Sequence, residues 1–214
     1  MAYDIYLFDL DGTLSDPKTG IVNSYRYALS AFGIQPETES LTQFIGPPLR
    51  EVFMKAYGFS AQDTERVVAK YREYFSVTGL FENTLYPGIA DTLAQLKSRG
   101  KTLGVATNKV TVYSKQILRH FGIAEYFSCI SGDEMDGSLS RGGKQSIIRV
   151  ALEALNPRGE KAAVMIGDRK HDITGAKAAG IDSIGVTWGY APQGELEAAG
   201  ASFIANSPAE LLKY

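Results

Sequence analysis

The 214 residues are 44% hydrophobic and 21% charged, with 22 Lys and Arg against 24 Asp and Glu. That excludes a disordered chain, a nucleic-acid-coating surface and a polybasic membrane patch. One cysteine, Cys129, excludes an internal disulfide and fits a reducing compartment. No apolar run approaches the ~20 residues of a membrane span, and Met1-Ala2-Tyr3-Asp4-Ile5 lacks the basic start of a signal peptide. The expectation is a soluble cytoplasmic protein, monomer or homodimer, with neither nucleic acid polymer nor membrane as partner.

Ile5-Tyr6-Leu7-Phe8 is a short apolar run that stops abruptly at Asp9, the pattern of a buried central strand. Residues 16–86 then show no convincing strand and three helical stripes: Ile21/Tyr25/Ala28/Leu29/Phe32, Leu49/Val52/Phe53/Ala56 and Val67/Val68/Tyr71/Tyr74/Phe75. A structureless excursion of that length is improbable in a compact domain. The expected organisation is an α/β core, residues 1–15 and 84–214, with a helical domain, residues 16–83, inserted after the first strand. Pro17 punctuates the exit, and Pro87-Gly88 the return.

From Tyr86 onward, strand and helix alternate. Leu103-Gly104-Val105-Ala106, Ala162-Ala163-Val164-Met165-Ile166 and Ile184-Gly185-Val186 read as strands, with weaker runs at Phe127-Ser128-Cys129-Ile130 and Ser202-Phe203-Ile204. Between them lie the stripes Ile89/Leu93/Leu96, Val112/Ile117/Leu118/Phe121 and Ile147/Val150/Ala151/Leu155. The alternation predicts a Rossmann-like, mostly parallel sheet covered by helices. Gly33, Gly58, Gly100 and Gly122 each follow a stripe, where a left-handed C-cap favours glycine.

In an open α/β sheet, ligands bind beyond the carboxyl ends of the strands. Unusual polar residues stand there: Asp9-Leu10-Asp11-Gly12-Thr13-Leu14, then Thr107-Asn108-Lys109, then Gly167-Asp168-Arg169-Lys170-His171-Asp172. Asp9, Asp11 and Asp168 in one crevice repel unless a cation or protons compensate. Hard oxygen donors favour Mg2+, which needs only a few carboxylates plus a substrate phosphate. Gly12 lets the backbone bend after the acids. Thr107 and Lys144 offer a hydroxyl and an ammonium to phosphate oxygens.

The set Asp9-Leu10-Asp11-Gly12-Thr13-Leu14, Thr107-Asn108, Lys144 and Gly167-Asp168-x-x-x-Asp172 resembles the haloacid dehalogenase superfamily of phosphohydrolases. All four motifs stand in order across nearly the whole chain, and the helical insert matches that superfamily's α-helical cap. Phe44-Ile45-Gly46-Pro47-Pro48-Leu49, Thr107-Asn108-Lys109 and Gly167-Asp168-Arg169-Lys170 resemble its phosphoglycolate phosphatase-like branch, which includes members assigned as 5'-nucleotidases.

The resemblance implies a Mg2+-dependent phosphomonoester hydrolase acting on a small organic phosphate, phosphoglycolate-like or a nucleoside 5'-monophosphate. It implies Asp9 as nucleophile, forming an aspartyl-phosphate, and Asp11 as general acid and base. Mg2+ would sit on the Asp9 carboxylate, the Asp11 backbone carbonyl and Asp168. Thr107, Asn108 and Lys144 would hold the phosphoryl oxygens, with Gly12 and Asp172 in support. The dehalogenases of the superfamily lack the second acid, so Asp11 favours phosphate esters. A phosphoryl-transferring mutase of the β-phosphoglucomutase kind shares the same acids and is the alternative.

Lys144 departs from the usual pattern, since Gln145 follows where many relatives have proline; Lys109 and Lys170 are the other cations available. Residues 137–144 fail as a nucleotide-binding P-loop, because Gly143 stands where the lysine should be. Arg50, beside Gly46-Pro47-Pro48, is either a substrate contact from the cap or part of a solvated helix face. His120 and His171 read as surface residues, Cys129 as a small core residue, and Tyr71/Tyr74/Phe75 as the core of the helical insert.

Overall fold

The computed structural model describes residues 3–214; Met1 and Ala2, where the leader expectation begins, lie outside the described residues. In chain order the elements are β1 (Ile5–Phe8), β2 (Ser15–Asp16), α1 (Lys18–Ser30), α2 (Thr38–Leu41), α3 (Leu49–Tyr57), α4 (Ala61–Tyr74), β3 (Thr84–Leu85), α5 (Ile89–Ser98), β4 (Thr102–Val110), α6 (Thr111–His120), β5 (Cys129–Asp133), α7 (Lys144–Leu155), β6 (Ala163–Gly167), α8 (Lys170–Ala179), β7 (Asp182–Val186), α9 (Glu195–Ala199) and β8 (Phe203–Ala205).

β1 is buried at every position because strands flank it on both edges and apolar layers cover both faces. It pairs in parallel with β4 and β6; Phe8 stands opposite Val105 on one side and Ile166 on the other. The six-stranded order is β5-β4-β1-β6-β7-β8, with every pair parallel. From β1 the chain builds outward first on the β4 side and then on the β6 side. That reversal opens a crevice at the carboxyl ends of β1, β4 and β6. On one face Ile5, Leu7, Met165, Ile147, Ile148 and Ala151 form a closed apolar cluster. Each fully buried Leu or Ile contributes about 1.5–3 kcal/mol relative to an exposed one.

Two helical stripes are narrower than the sequence pattern suggests. In α7 the buried apolar residues are Ile147, Ile148 and Ala151, and Val150 is 42% exposed. In α6, Ile117 and Leu118 are buried, and Val112, in the first turn, is 46% exposed. Both valines sit rotated off the centre of the stripe their neighbours define. β4 runs longer than expected: it continues through Thr107 to Val110, with a register shift against β5 after Ala106. Thr107-Asn108 therefore lies inside a bulged strand, and Val110 stands at the N-cap position of α6.

Residues Asp16–Thr84 form a compact unit of their own, and the described residues up to Ser15 together with Leu85–Tyr214 form the other. Its stripes fold as α1, α3 and α4; the short α2 and the two-residue strands β2 and β3 left no pattern in the sequence. Tyr25 is its aromatic centre, with ring centroids of Phe44, Phe53 and Tyr71 at 5.8, 5.4 and 5.1 Å. Tyr71 stacks on Phe75 at 5.5 Å and both are buried, so they belong to the core, whereas Tyr74 is only partly buried and packs against exposed Tyr27 at 5.4 Å. Gly58 ends α3 in the left-handed region (φ 68°), and Gly33, Gly100 and Gly122 share that conformation.

Candidate active site

The chain leaves β1 at Asp9, whose Oδ1 accepts a hydrogen bond from the Leu10 N–H at 2.8 Å. It turns at Gly12, where φ is 84°. A Cβ at Gly12 would run into the carboxylate of Asp168, so the turn after β1 and the end of β6 can approach only because this residue is glycine. Asp168 is fully buried. Its Oδ2 accepts from the Tyr190 backbone N–H at 2.8 Å and its Oδ1 from the Thr13 hydroxyl at 3.3 Å. Asp172, in the first turn of α8, accepts from the Arg169 N–H at 3.1 Å.

Lys144 is the first residue of α7, and its side chain is 2% exposed. Gly175 of α8 leaves space for its stem, since a Cβ there would press on Lys144 Cβ. The Nζ stands 3.0 Å from Asp9 Oδ1 and 2.7 Å from Asp172 Oδ1, as close ion pairs rather than well-aligned hydrogen bonds. Asp9 and Asp172 thus share one buried cation.

The electrostatics leave an excess of negative charge. Carboxylate oxygens of Asp9, Asp168 and Asp172 lie within 4.8 Å of one another. Burial, then the nearby Asp172 and Asp9, push the Asp168 pKa up to about 8. Burial raises Asp172 as well, and Lys144 offsets only part of that. Burial works against the Lys144 charge, but Asp172 and Asp9 outweigh it and hold its pKa above the ordinary lysine value. Three hard oxygen donors with one ammonium between them fit a divalent cation, which would keep Asp168 ionised at neutral pH.

Asp11 faces a different partner. Its Oδ2 is 2.5 Å from Lys109 Nζ, while its Oδ1 is buried without a hydrogen-bond partner among the described residues. Burial raises its pKa, against the pull of Lys109. Thr107 is buried, and its Oγ1 accepts from the Lys109 N–H at 3.2 Å. Asn108 Oδ1 is also buried without a hydrogen-bond partner among the described residues. Of the three candidate lysines, Lys144 reaches Asp9, Lys109 pairs with Asp11, and exposed Lys170 gives its backbone N–H to Glu195.

Arg50 lies in the helical unit and forks onto Glu65 at 2.6 and 3.0 Å. His171 is exposed in α8, and Cys129 packs half-buried against the core cluster. The sequence reading missed the Lys109–Asp11 pair and residues 187–195. A signal for the second existed: Trp188-Gly189-Tyr190 follows the apolar run Ile184–Val186 closely, as Asp9 follows β1.

A family profile described as haloacid dehalogenase-like hydrolase matches residues 6–186. The chain belongs to the haloacid dehalogenase-like hydrolases. Among the proteins it is similar to, a Pseudomonas aeruginosa protein named 5'-nucleotidase is 44% identical over 199 residues, covering 92% of this chain and 89% of that one. The Mycobacterium tuberculosis protein named tyrosine-protein kinase PtkA is 44% identical over 187 residues, 87% of this chain; the chain spans 62% of that longer protein. The crystal structure of a predicted phosphatase from Clostridium acetobutylicum superposes with a TM-score of 0.92 at 46% identity, covering 100% and 98% of the two chains. Within the haloacid dehalogenase-like hydrolases this chain is a phosphatase for a small phosphate substrate. No helix among the described residues is long and apolar enough to cross a membrane.

Proposed function

We propose that the protein is a Mg2+-dependent phosphomonoesterase working through an aspartyl-phosphate on Asp9, with a nucleoside 5'-monophosphate as the first substrate to test. The observation that carries this is the pairing of Asp9, whose side chain is 14% exposed, with buried Lys144, 3.0 Å away, beside Asp168 and Asp172. The relative named 5'-nucleotidase supports the choice of first substrate. The single cysteine supports a reducing, cytoplasmic setting.

Asp9 Oδ1 is taken by Leu10 N–H and Lys144, which leaves Oδ2 to attack phosphorus. In the first step the Asp9 O–P bond forms, the ester P–O bond breaks, and Asp11 gives the leaving oxygen a proton. In the second, water attacks phosphorus as Asp11 takes a proton back, freeing phosphate and Asp9. Lys109 beside Asp11 orients that carboxyl, and Lys144, Thr107 and Asn108 hold the phosphoryl oxygens. Asp9, Asp168 and the Asp11 carbonyl would hold Mg2+, with Asp172 anchoring Lys144 next to them. When bound, the ion screens the anionic substrate from these acids and stabilises charge on the phosphoryl oxygens. The inserted helical unit is assigned leaving-group recognition.

A phosphate-release panel over nucleoside monophosphates, phosphoglycolate and sugar phosphates tests the reading. It is run beside transfer from ATP to a tyrosine peptide and conversion of hexose 1-phosphate to 6-phosphate. Release of inorganic phosphate without transfer or isomer formation is the expected result. Transfer or isomerisation without release would replace hydrolysis by a kinase or mutase activity.

A further inference from the structure

Residues 187–195, which follow β7, hold both turns that carry the acids. The Trp188 indole N–H donates to the Thr13 carbonyl at 3.0 Å, and the Tyr190 backbone N–H donates to Asp168 Oδ2 at 2.8 Å. Glu195 Oε1 accepts from both Arg169 Nε and the Lys170 N–H, each at 2.9 Å. Burial alone would raise the Glu195 pKa, but these donors and their charges hold it down, so the anchor stays ionised. Between the first two contacts sits Gly189, where a Cβ would strike Asp168 Cβ and the Gly12 carbonyl oxygen.

We propose that this segment is a strap that sets the Asp168 carboxylate for a divalent cation, with Trp188 and Gly189 as its positioning residues. The inference rests on the cation-binding role of Asp9 and Asp168 proposed above. The Tyr190 amide and the Thr13 hydroxyl each take one Asp168 oxygen, so rotation of the carboxylate breaks a bond. Trp188 fixes the strap to the Gly12 turn through the residue after it, and Gly189 lets the main chain come close enough for the Tyr190 amide to reach. Glu195 ties the far end to the start of α8. Groups that orient a metal ligand from outside the coordination sphere typically change affinity 10–100-fold when removed.

Mn2+ shares the oxygen-donor preference of Mg2+, and its free form is read by electron paramagnetic resonance. The experiment titrates Mn2+ into chelator-stripped wild type, Trp188→Phe and Gly189→Ala, with circular dichroism and thermal unfolding of the same metal-free samples. The dissociation constant is expected to rise about tenfold or more in Gly189→Ala. In Trp188→Phe, which loses one hydrogen bond, it should rise about threefold to tenfold. Wild-type affinity in the folded variants would overturn the strap. Should Gly189→Ala fail to fold, Trp188→Phe decides alone. Failure of wild type to bind Mn2+ is a different result: it overturns the cation reading itself, and the strap's role with it.

Discussion

Lys144 Nζ stands between Asp9 and Asp172, 3.0 and 2.7 Å from their oxygens, with 2% of its side chain exposed. A buried ammonium costs several kcal/mol of desolvation, and here two carboxylates compensate it. Removing one member of such a group leaves buried charge without a partner. Lys144→Ala is therefore expected to destabilise the metal-free protein by about 3–5 kcal/mol, measured by urea unfolding in chelator. A loss within about 0.5 kcal/mol, the range of ordinary surface substitutions, would mean that the three groups do not act as a buried unit.

Asp9→Asn is nearly isosteric and keeps an oxygen for the Leu10 N–H. Far-UV circular dichroism should be unchanged, while turnover falls at least ~10³-fold, the scale for removing a catalytic group that acts in concert with others. Acid-quenched wild type should carry a labelled phosphoryl group that the variant lacks. Near wild-type hydrolysis by Asp9→Asn would remove Asp9 as the nucleophile.

Metal removal gives a third expectation. Chelator should silence the enzyme, Mg2+ should restore it, and Ca2+ should restore little, because calcium prefers more ligands at longer distances than Mg2+. Trp188 is the one tryptophan of the chain, and its indole bonds the turn beside Asp168. Its emission should therefore shift when Mg2+ is added to stripped protein. Full activity in chelator would contradict the cation assignment at Asp9 and Asp168.

The acids were legible because each interrupts an apolar strand where polar side chains have no packing reason to stand: Asp9 after β1, Asp168 after β6. The parallel sheet was legible from its continuous apolar runs, which strands covered on both faces require. Pairings between distant segments were not. Nothing local to Lys109 points to Asp11, and nothing in Glu195 points to Arg169 and Lys170; both contacts arise only when the sheet sets its strand ends side by side. Nothing local to Thr107 announces the bulge that extends β4 to Val110. Val112 and Val150 were placed in the core by hydrophobicity, yet the phase of their helices turns them outward.

Arg50 supplies the last prediction. In the helical unit its guanidinium forks onto Glu65, which lowers the Glu65 pKa mainly through that hydrogen bond. The two side chains are 33% and 58% exposed, and ion pairs at such exposure contribute only about 0–1 kcal/mol. Arg50→Ala should therefore leave the melting temperature nearly unchanged. If the helical unit recognises the leaving group, the same variant should lose about 1–3 kcal/mol in kcat/KM for a substrate with a charged leaving group, the scale of a hydrogen bond to an ion. Hydrolysis of p-nitrophenyl phosphate, whose leaving group is uncharged once protonated, should change little. Glu65→Gln separates the possibilities further, since it weakens the hold on Arg50 without removing the guanidinium. A loss confined to the charged substrate in Arg50→Ala, absent in Glu65→Gln, assigns recognition to Arg50. Equal losses on both substrates would make Arg50 a support of the fold, and no loss on either would make it a solvated residue of α3.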